Sequence, residues 1–207
     1  MTNDTTLPRL LANPLVAILR GVKPDEVLAV AETLVDAGWS SIEVPLNSPD
    51  PFTSLSRLAA RFGDAIVLGA GTVLTADDVQ RCADAGARLV LAPNRDVEVI
   101  RRARALDLLV MPGVATPSEA FEALAAGAQT LKLFPADVLG PASFKGWKAV
   151  LPAGVPMFAV GGVDAGNLRS FREAGAAGAG LGSSLYAPGR PLDDLRARAK
   201  TLAAAWS

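Results

Sequence analysis

The stretch Ala125-Ala126-Gly127-Ala128-Gln129-Thr130-Leu131-Lys132-Leu133-Phe134-Pro135 decides the fold. Its Ala-Ala-Gly opening reads as a helix exit, because glycine suits the left-handed residue that closes a helix. A short apolar run, 130–134, follows at once and has the length of a strand. The same unit recurs along the chain. Asp36-Ala37-Gly38, Asp84-Ala85-Gly86 and Glu173-Ala174-Gly175 also precede apolar runs by a few residues. The runs lie at 15–19, 41–45, 66–70, 89–92, 108–111, 130–134, 157–160 and 178–181. They are rich in valine, leucine and isoleucine on both faces, as parallel strands covered by helices are.

Helix entries alternate with these runs. Lys23-Pro24-Asp25-Glu26, Thr75-Ala76-Asp77-Asp78 and Thr116-Pro117-Ser118-Glu119 put proline or acids in a first turn. No linker, low-complexity tract or charge block divides the chain. Eight strand-then-helix units in one domain, residues 1–207, predict an α/β fold: a closed (β/α)₈ barrel of the TIM type. An open doubly wound sheet is the alternative, since repetition alone does not prove closure. The barrel is at the small end of its range, which predicts short loops and an oligomer.

Composition narrows the function. The chain has 207 residues, half of them hydrophobic, but no apolar stretch of about 18 residues that would span a membrane. Met1-Thr2-Asn3-Asp4-Thr5-Thr6 lacks the basic start and apolar core of a leader. A net charge of −1 argues against a nucleic-acid partner. Cys82 is the only cysteine and suits a cytoplasmic protein. With no histidine, the usual nitrogen and sulfur ligands for a zinc site are nearly absent.

In such barrels the chemistry lies at the C-terminal strand ends. Lys132 sits inside an apolar strand, and burial of an ammonium lowers its pKa, leaving an amine that attacks carbonyl carbon. The plainer reading is a lysine whose stem packs while its head escapes to water. Alternation puts Glu43 on one face of its strand with Ser41 and Pro45, and Lys132 with Thr130 and Phe134. With the aliphatic neighbours turned to the helices, Glu43 and Lys132 both point into the barrel, as proton carrier and nucleophile or as a structural ion pair.

Gly161-Gly162 and Gly182-Ser183 end the last two strands, and the first pair precedes a helix opened by Asp164. Small residues let backbone amides approach an anion, and late strands often bind phosphate in barrels; ordinary tight turns would look similar. Arg20, at the end of the first strand, offers a fork for a carboxylate or a solvated rim charge. Thr72, after Gly69-Ala70-Gly71, offers a hydroxyl or a turn cap. Tyr186 reads as packing, the scattered tryptophans as no stacking platform, and Asp77-Asp78 as first-turn acids.

Together these segments resemble the 2-keto-3-deoxy-6-phosphogluconate/galactonate aldolase family. The resemblance spans roughly residues 14 to 186 and rests on Pro14-Leu15-Val16-Ala17-Ile18-Leu19-Arg20-Gly21, Glu43-Val44-Pro45-Leu46-Asn47-Ser48-Pro49, Gly69-Ala70-Gly71-Thr72-Val73, Lys132-Leu133-Phe134-Pro135 and Ala159-Val160-Gly161-Gly162-Val163. It implies a metal-independent class I aldolase with no cofactor, assembled as a homotrimer of barrels. It further implies a Schiff base on Lys132 and general acid/base work by Glu43. Arg20 and Thr72 would bind the pyruvyl end, Gly161, Gly162 and Ser183 the phosphate, and Pro93 and Phe134 would shape the pocket.

Two positions bear on the sugar. The gluconate branch usually carries arginine where this chain has Asn47, and threonine where it has Val160. Both differences favour 2-dehydro-3-deoxy-6-phosphogalactonate, cleaved to pyruvate and D-glyceraldehyde 3-phosphate, with the gluconate epimer or both as alternatives. Ser184, often acidic in galactonate-branch relatives, departs from the pattern. A phosphosugar isomerase using Glu43 as base and a silent sugar-phosphate-binding barrel are the rival readings.

Overall fold

A computed structural model describes residues 5–207. Residues 1–4, which belong to the N-terminal stretch read above as lacking a leader, lie outside the described residues. Helix α1 (Thr6–Ala12) precedes β1 (Leu15–Ile18), and the repeating pattern then begins. It runs α2 (Val27–Asp36), β2 (Ser41–Pro45), α3 (Pro51–Phe62), β3 (Val67–Gly71), α4 (Ala76–Asp84), β4 (Leu89–Leu91), α5 (Val97–Ala105) and β5 (Leu109–Met111). A two-residue strand, β6 (Gly113–Val114), comes next, then α6 (Pro117–Ala125), β7 (Leu131–Leu133), α7 (Ala136–Lys148), β8 (Met157–Val160), α8 (Leu168–Glu173), β9 (Gly178–Leu181) and α9 (Leu192–Trp206).

All strand pairs are parallel, in the order β5-β4-β3-β2-β1-β9-β8-β7-β6. The fold is therefore the expected (β/α)₈ barrel, with one refinement. The fifth strand does not end at Met111. Pro112 interrupts it, because proline has no N–H for a ladder, and Gly113–Val114 resumes it. Its first part pairs with β4 and its second with β7. The Lys132 N–H donates to the Pro112 carbonyl at 2.9 Å, which closes the ring at the break. Gly113 must be glycine there, since a Cβ would lie 2.3 Å from the Pro93 carbonyl oxygen.

Strand alternation divides the core into two shells. Leu15, Ala17, Ile42, Val44, Leu68, Val90, Val110, Leu131, Leu133 and Ala159 face the helices, where they meet Leu34, Leu58, Val79, Ile100 and Phe171. Val16, Ile18, Val67, Leu89, Leu91, Leu109, Met111, Phe158 and Val160 fill the barrel. Leu10 of α1 belongs to this inner cluster, with Leu7 packed against it. Each large aliphatic side chain buried in this way contributes about 1.5–3 kcal/mol.

Helix ends follow the sequence signals at Thr75, which accepts from the Asp78 N–H, and at Thr116, whose capping box with Glu119 is complete. Two entries start later than expected. The Lys23–Glu26 segment is a separate turn in which Glu26 accepts from the Lys23 N–H at 3.0 Å, and α2 begins at Val27. Asp164 likewise does not open α8. Its carboxylate takes the Gly166 and Asn167 N–H groups, forming a local turn that delays the helix to Leu168.

Candidate active site

Glu43 and Lys132 enter the same cavity from different sides of the barrel. Glu43 lies on β2 with Ile18 and Gly69 as ladder neighbours, and Lys132 lies on β7 between Gly113 and Phe158. Both are buried, at 2% and 6% exposure. The cavity measures about 620 Å³ and also touches Arg20, Phe134, Val160, Gly161, Gly162 and Ser183. That volume is ample for a small substrate, for which roughly 300–1,000 Å³ is usual.

Burial governs both charges. It pushes the Glu43 carboxyl up to about 7, against the opposing attraction of Lys132 and then Arg20. It pulls the Lys132 ammonium below its ordinary value, with Glu43 opposing and Arg20 assisting. No ion pair joins the two among the described residues, whose salt bridges all lie elsewhere. The Glu43 Oε2 atom is buried without a hydrogen-bond partner. Lys132 Nζ stands 4.5 Å from the centre of the Phe134 ring. Both groups line the one cavity without contacting each other as an ion pair.

Local structure makes room for this arrangement. A Cβ on Gly71 would come within 1.9 Å of Glu43 Oε2, so glycine at the end of β3 leaves the carboxylate its place. Arg20 Nη1 donates to Asn47 Oδ1 at 2.5 Å, which ties the ends of β1 and β2 together. Across the cavity, the turns after β8 and β9 present Gly161, Gly162, Val163, Gly182, Ser183 and Ser184. Among the described residues, the N–H groups of Gly162, Val163, Ser183 and Ser184 donate to no backbone acceptor. This wall can accept an anion by main-chain donation.

Most of the residues singled out in the sequence meet here, but Thr72 and Pro93 do not line the cavity. Thr72 follows β3 in left-handed backbone at φ 55, and the Pro93 carbonyl faces Gly113. Ile18, Val163, Asp164 and Gly180 line the cavity without having been assigned to it. Alternation with Val16 could have pointed to Ile18, and proximity to Gly161-Gly162 to Val163 and Asp164. Tyr186 is a packing residue whose hydroxyl donates to Glu26 Oε1 at 3.0 Å. Cys82 is buried away from the cavity, and burial pushes its thiol up to about 12. Among the described residues no three potential metal ligands of the His, Cys, Asp or Glu type cluster, and no helix is long and apolar enough to cross a membrane.

The family model for "Aldolase: KDPG and KHG aldolase" matches residues 8–193. The chain belongs to the KDPG and KHG aldolase family. It is accordingly an aldolase, a lyase, built on the barrel described above. The 2-dehydro-3-deoxy-6-phosphogalactonate aldolase of Escherichia coli strain K12 is 49% identical over 180 residues, 87% of this chain and 88% of the relative. A solved structure described as native KDPGal is 47% identical with a TM-score of 0.92, covering 93% of this chain and 94% of that one. A KDPG aldolase from Legionella pneumophila, solved with pyruvate captured at low pH as a covalent carbinolamine intermediate, is 26% identical. Its TM-score is 0.81, covering 99% of this chain and 96% of that one.

Proposed function

We propose that the chain is a Schiff-base aldolase that cleaves 2-dehydro-3-deoxy-6-phosphogalactonate to pyruvate and D-glyceraldehyde 3-phosphate. The observation that carries this reading is the buried pair of Lys132 and Glu43, unjoined by an ion pair and each shifted by burial toward its neutral form in one cavity. Neutral Lys132 attacks the C2 ketone: its nitrogen lone pair forms the C–N bond as the carbonyl π bond breaks, and one N–H proton passes to the former carbonyl oxygen to give a carbinolamine. Glu43 donates a proton to the departing hydroxyl, which leaves as water, and an iminium remains. Glu43, now a carboxylate, takes the proton of the C4 hydroxyl as the C3–C4 bond breaks. The bond electrons flow into the iminium, producing an enamine, and the aldehyde leaves. Glu43 returns its proton to C3, which restores the iminium; water then adds to C2, the Glu43 carboxylate takes up the proton released, and pyruvate and free neutral Lys132 result. A carboxyl titrating near 7 serves both directions of transfer at neutral pH.

Arg20 holds the substrate carboxylate, and Phe134 packs beside the imine carbon. Gly161, Gly162 and Ser183 hold the phosphate, in keeping with the free N–H groups on that side. Thr72 binds the pyruvyl end with Arg20, and Pro93 shapes the pocket with Phe134, although neither Thr72 nor Pro93 lines the cavity directly. The left-handed backbone of Thr72 supports a specific role there, since a non-glycine residue at such φ costs about 1–3 kcal/mol. The whole chain works as one aldolase domain, in the cytoplasm, as a homotrimer, without metal or cofactor. The epimer preference rests on Asn47, hydrogen-bonded to Arg20, on Val160 at the cavity wall, and on the 49% identity to the phosphogalactonate enzyme.

Incubation with pyruvate and borohydride tests the nucleophile. A mass adduct on the peptide containing Lys132 is expected, and its absence sinks the Schiff-base reading in favour of an isomerase or a binding barrel. Paired steady-state assays on the two epimeric substrates test the sugar. A kcat/KM ratio near unity would overturn the role given to Asn47 and Val160.

A further inference from the structure

The turn that follows β9 is held from behind by charge. The Gly182 carbonyl accepts from the Leu185 and Tyr186 N–H groups at 2.9 and 2.8 Å, closing a single tight turn. The next three carbonyls, of Ser183, Ser184 and Leu185, have all been taken by two arginines. Arg190 Nη1 donates to the Ser183 carbonyl at 3.4 Å and, at close range, to that of Leu185. Arg198 Nη1 donates to the Ser184 carbonyl at 3.4 Å. Asp194 Oδ2 ties the pair together, at 3.2 Å from Arg190 Nε and 2.9 Å from Arg198 Nε. The Arg190 side chain is only 15% exposed, whereas Arg198 and Asp194 are 44% exposed.

A trans peptide points its C=O and the following N–H in opposite directions. Drawing the Ser183 carbonyl back toward Arg190 therefore turns the Ser184 N–H the other way. Neither the Ser183 nor the Ser184 N–H has a backbone acceptor, and both residues line the cavity that contains Lys132. A cation on the carbonyl side of a turn also satisfies acceptors that would otherwise need water.

From this geometry we infer that Arg190, steadied by Asp194 and assisted by Arg198, is a positioning residue for the substrate's phosphate. It fixes the Gly182–Leu185 turn so that its amides stay aimed at the anion before the anion arrives. It touches neither the reacting carbon nor the phosphate. The inference rests on the proposed reading of that turn as the phosphate-facing wall. Preorganised donors bind without an ordering cost, so loosening them weakens phosphate affinity while leaving the carbonyl end untouched.

The test compares wild type with Arg190→Gln, Arg198→Gln and Asp194→Asn, using two probes. Inorganic phosphate binding is measured by calorimetric titration, and pyruvate trapping on Lys132 by borohydride. Arg190→Gln should weaken phosphate binding and raise KM for the phosphorylated substrate by about tenfold, with smaller shifts in the other two. Pyruvate trapping should stay at the wild-type rate in all three. Unchanged phosphate affinity in Arg190→Gln overturns the inference. So does an equal fall in pyruvate trapping, which marks a general structural role. If Arg190→Gln does not fold, the exposed Arg198→Gln and Asp194→Asn decide the matter: phosphate affinity at the wild-type value in both refutes the inference. A wild-type protein that traps no pyruvate defeats the aldolase mechanism instead, and the phosphate titration still decides the role of Arg190.

Discussion

Opposite charges occur in two settings in this protein, and they are treated differently. On the helical surface they are allowed to touch: Arg61 meets Glu32 at 3.0 Å, Arg101 meets Glu98 at 3.0 Å, and Arg169 meets Glu173 at 2.9 Å. Inside the barrel Lys132 and Glu43 are buried together and form no ion pair. Surface pairs gain little, because water screens them and the side chains lose freedom in meeting. An interior pair in contact would hold both groups ionised and occupy their reactive valences. Separation lets burial dominate, and burial favours an amine and a carboxylic acid. The lesson is that the interior arrangement gives up electrostatic stability for reactivity.

Removing Lys132 breaks that contrast most severely. Lys132→Ala should lower kcat on the order of 10⁵-fold, as loss of a covalent nucleophile does. The urea midpoint should hold steady or rise, because a poorly solvated amine has been deleted. Retained cleavage would refute the assignment of the nucleophile. Glu43→Gln comes next, with kcat down about 10³-fold and pyruvate binding largely preserved. A loss in KM alone would make Glu43 a binding group and not a proton carrier.

The pH dependence of stability sharpens the same contrast more gently. Glu43 is raised from 4.5 to about 7 in the folded protein, so between those values the native state binds more protons than the unfolded chain. Stability then falls as pH rises through this window, by on the order of 1 kcal/mol per pH unit. The contribution is fully present below 4.5 and lost above 7. Chemical denaturation across that pH window should show this slope in wild type relative to Glu43→Gln, and identical slopes would contradict it. On the surface, Arg169→Ala should change stability by no more than about 0.5 kcal/mol in the same assay. A loss several times larger would mean that the surface pairs carry real stability, and the contrast with the interior would disappear.

Much of this was legible in the sequence because it depends on local rules. Alternation, with the aliphatic side chains turned to the helices, puts Glu43 and Lys132 inside and Ile42, Val44, Leu131 and Leu133 outside. Glycine exits and threonine caps mark helix boundaries at Gly86, Gly127, Thr75 and Thr116. What escaped depends on distant partners. Met111 looked like a strand end because Pro112 breaks the pattern, and the continuation at Gly113–Val114 exists only through its pairing with β7. Asp164 looked like a helix cap but closes a turn with Asn167. Arg190 stands in an ordinary Gly-Arg-Pro string, and its meaning comes from carbonyls that reach it only after the chain has turned.

The hydrogen bond from the Lys132 N–H to the Pro112 carbonyl has a practical consequence. The ring is buckled at the residue proposed to carry the chemistry, but the buckle is made of main chain. The side chain can be exchanged for alanine while the fastening stays shut, so an inactive enzyme need not be a loosened one. The amide proton of Lys132 is therefore a built-in gauge: slow exchange with deuterium in Lys132→Ala would report a barrel that is still clasped, whatever has become of its reactivity.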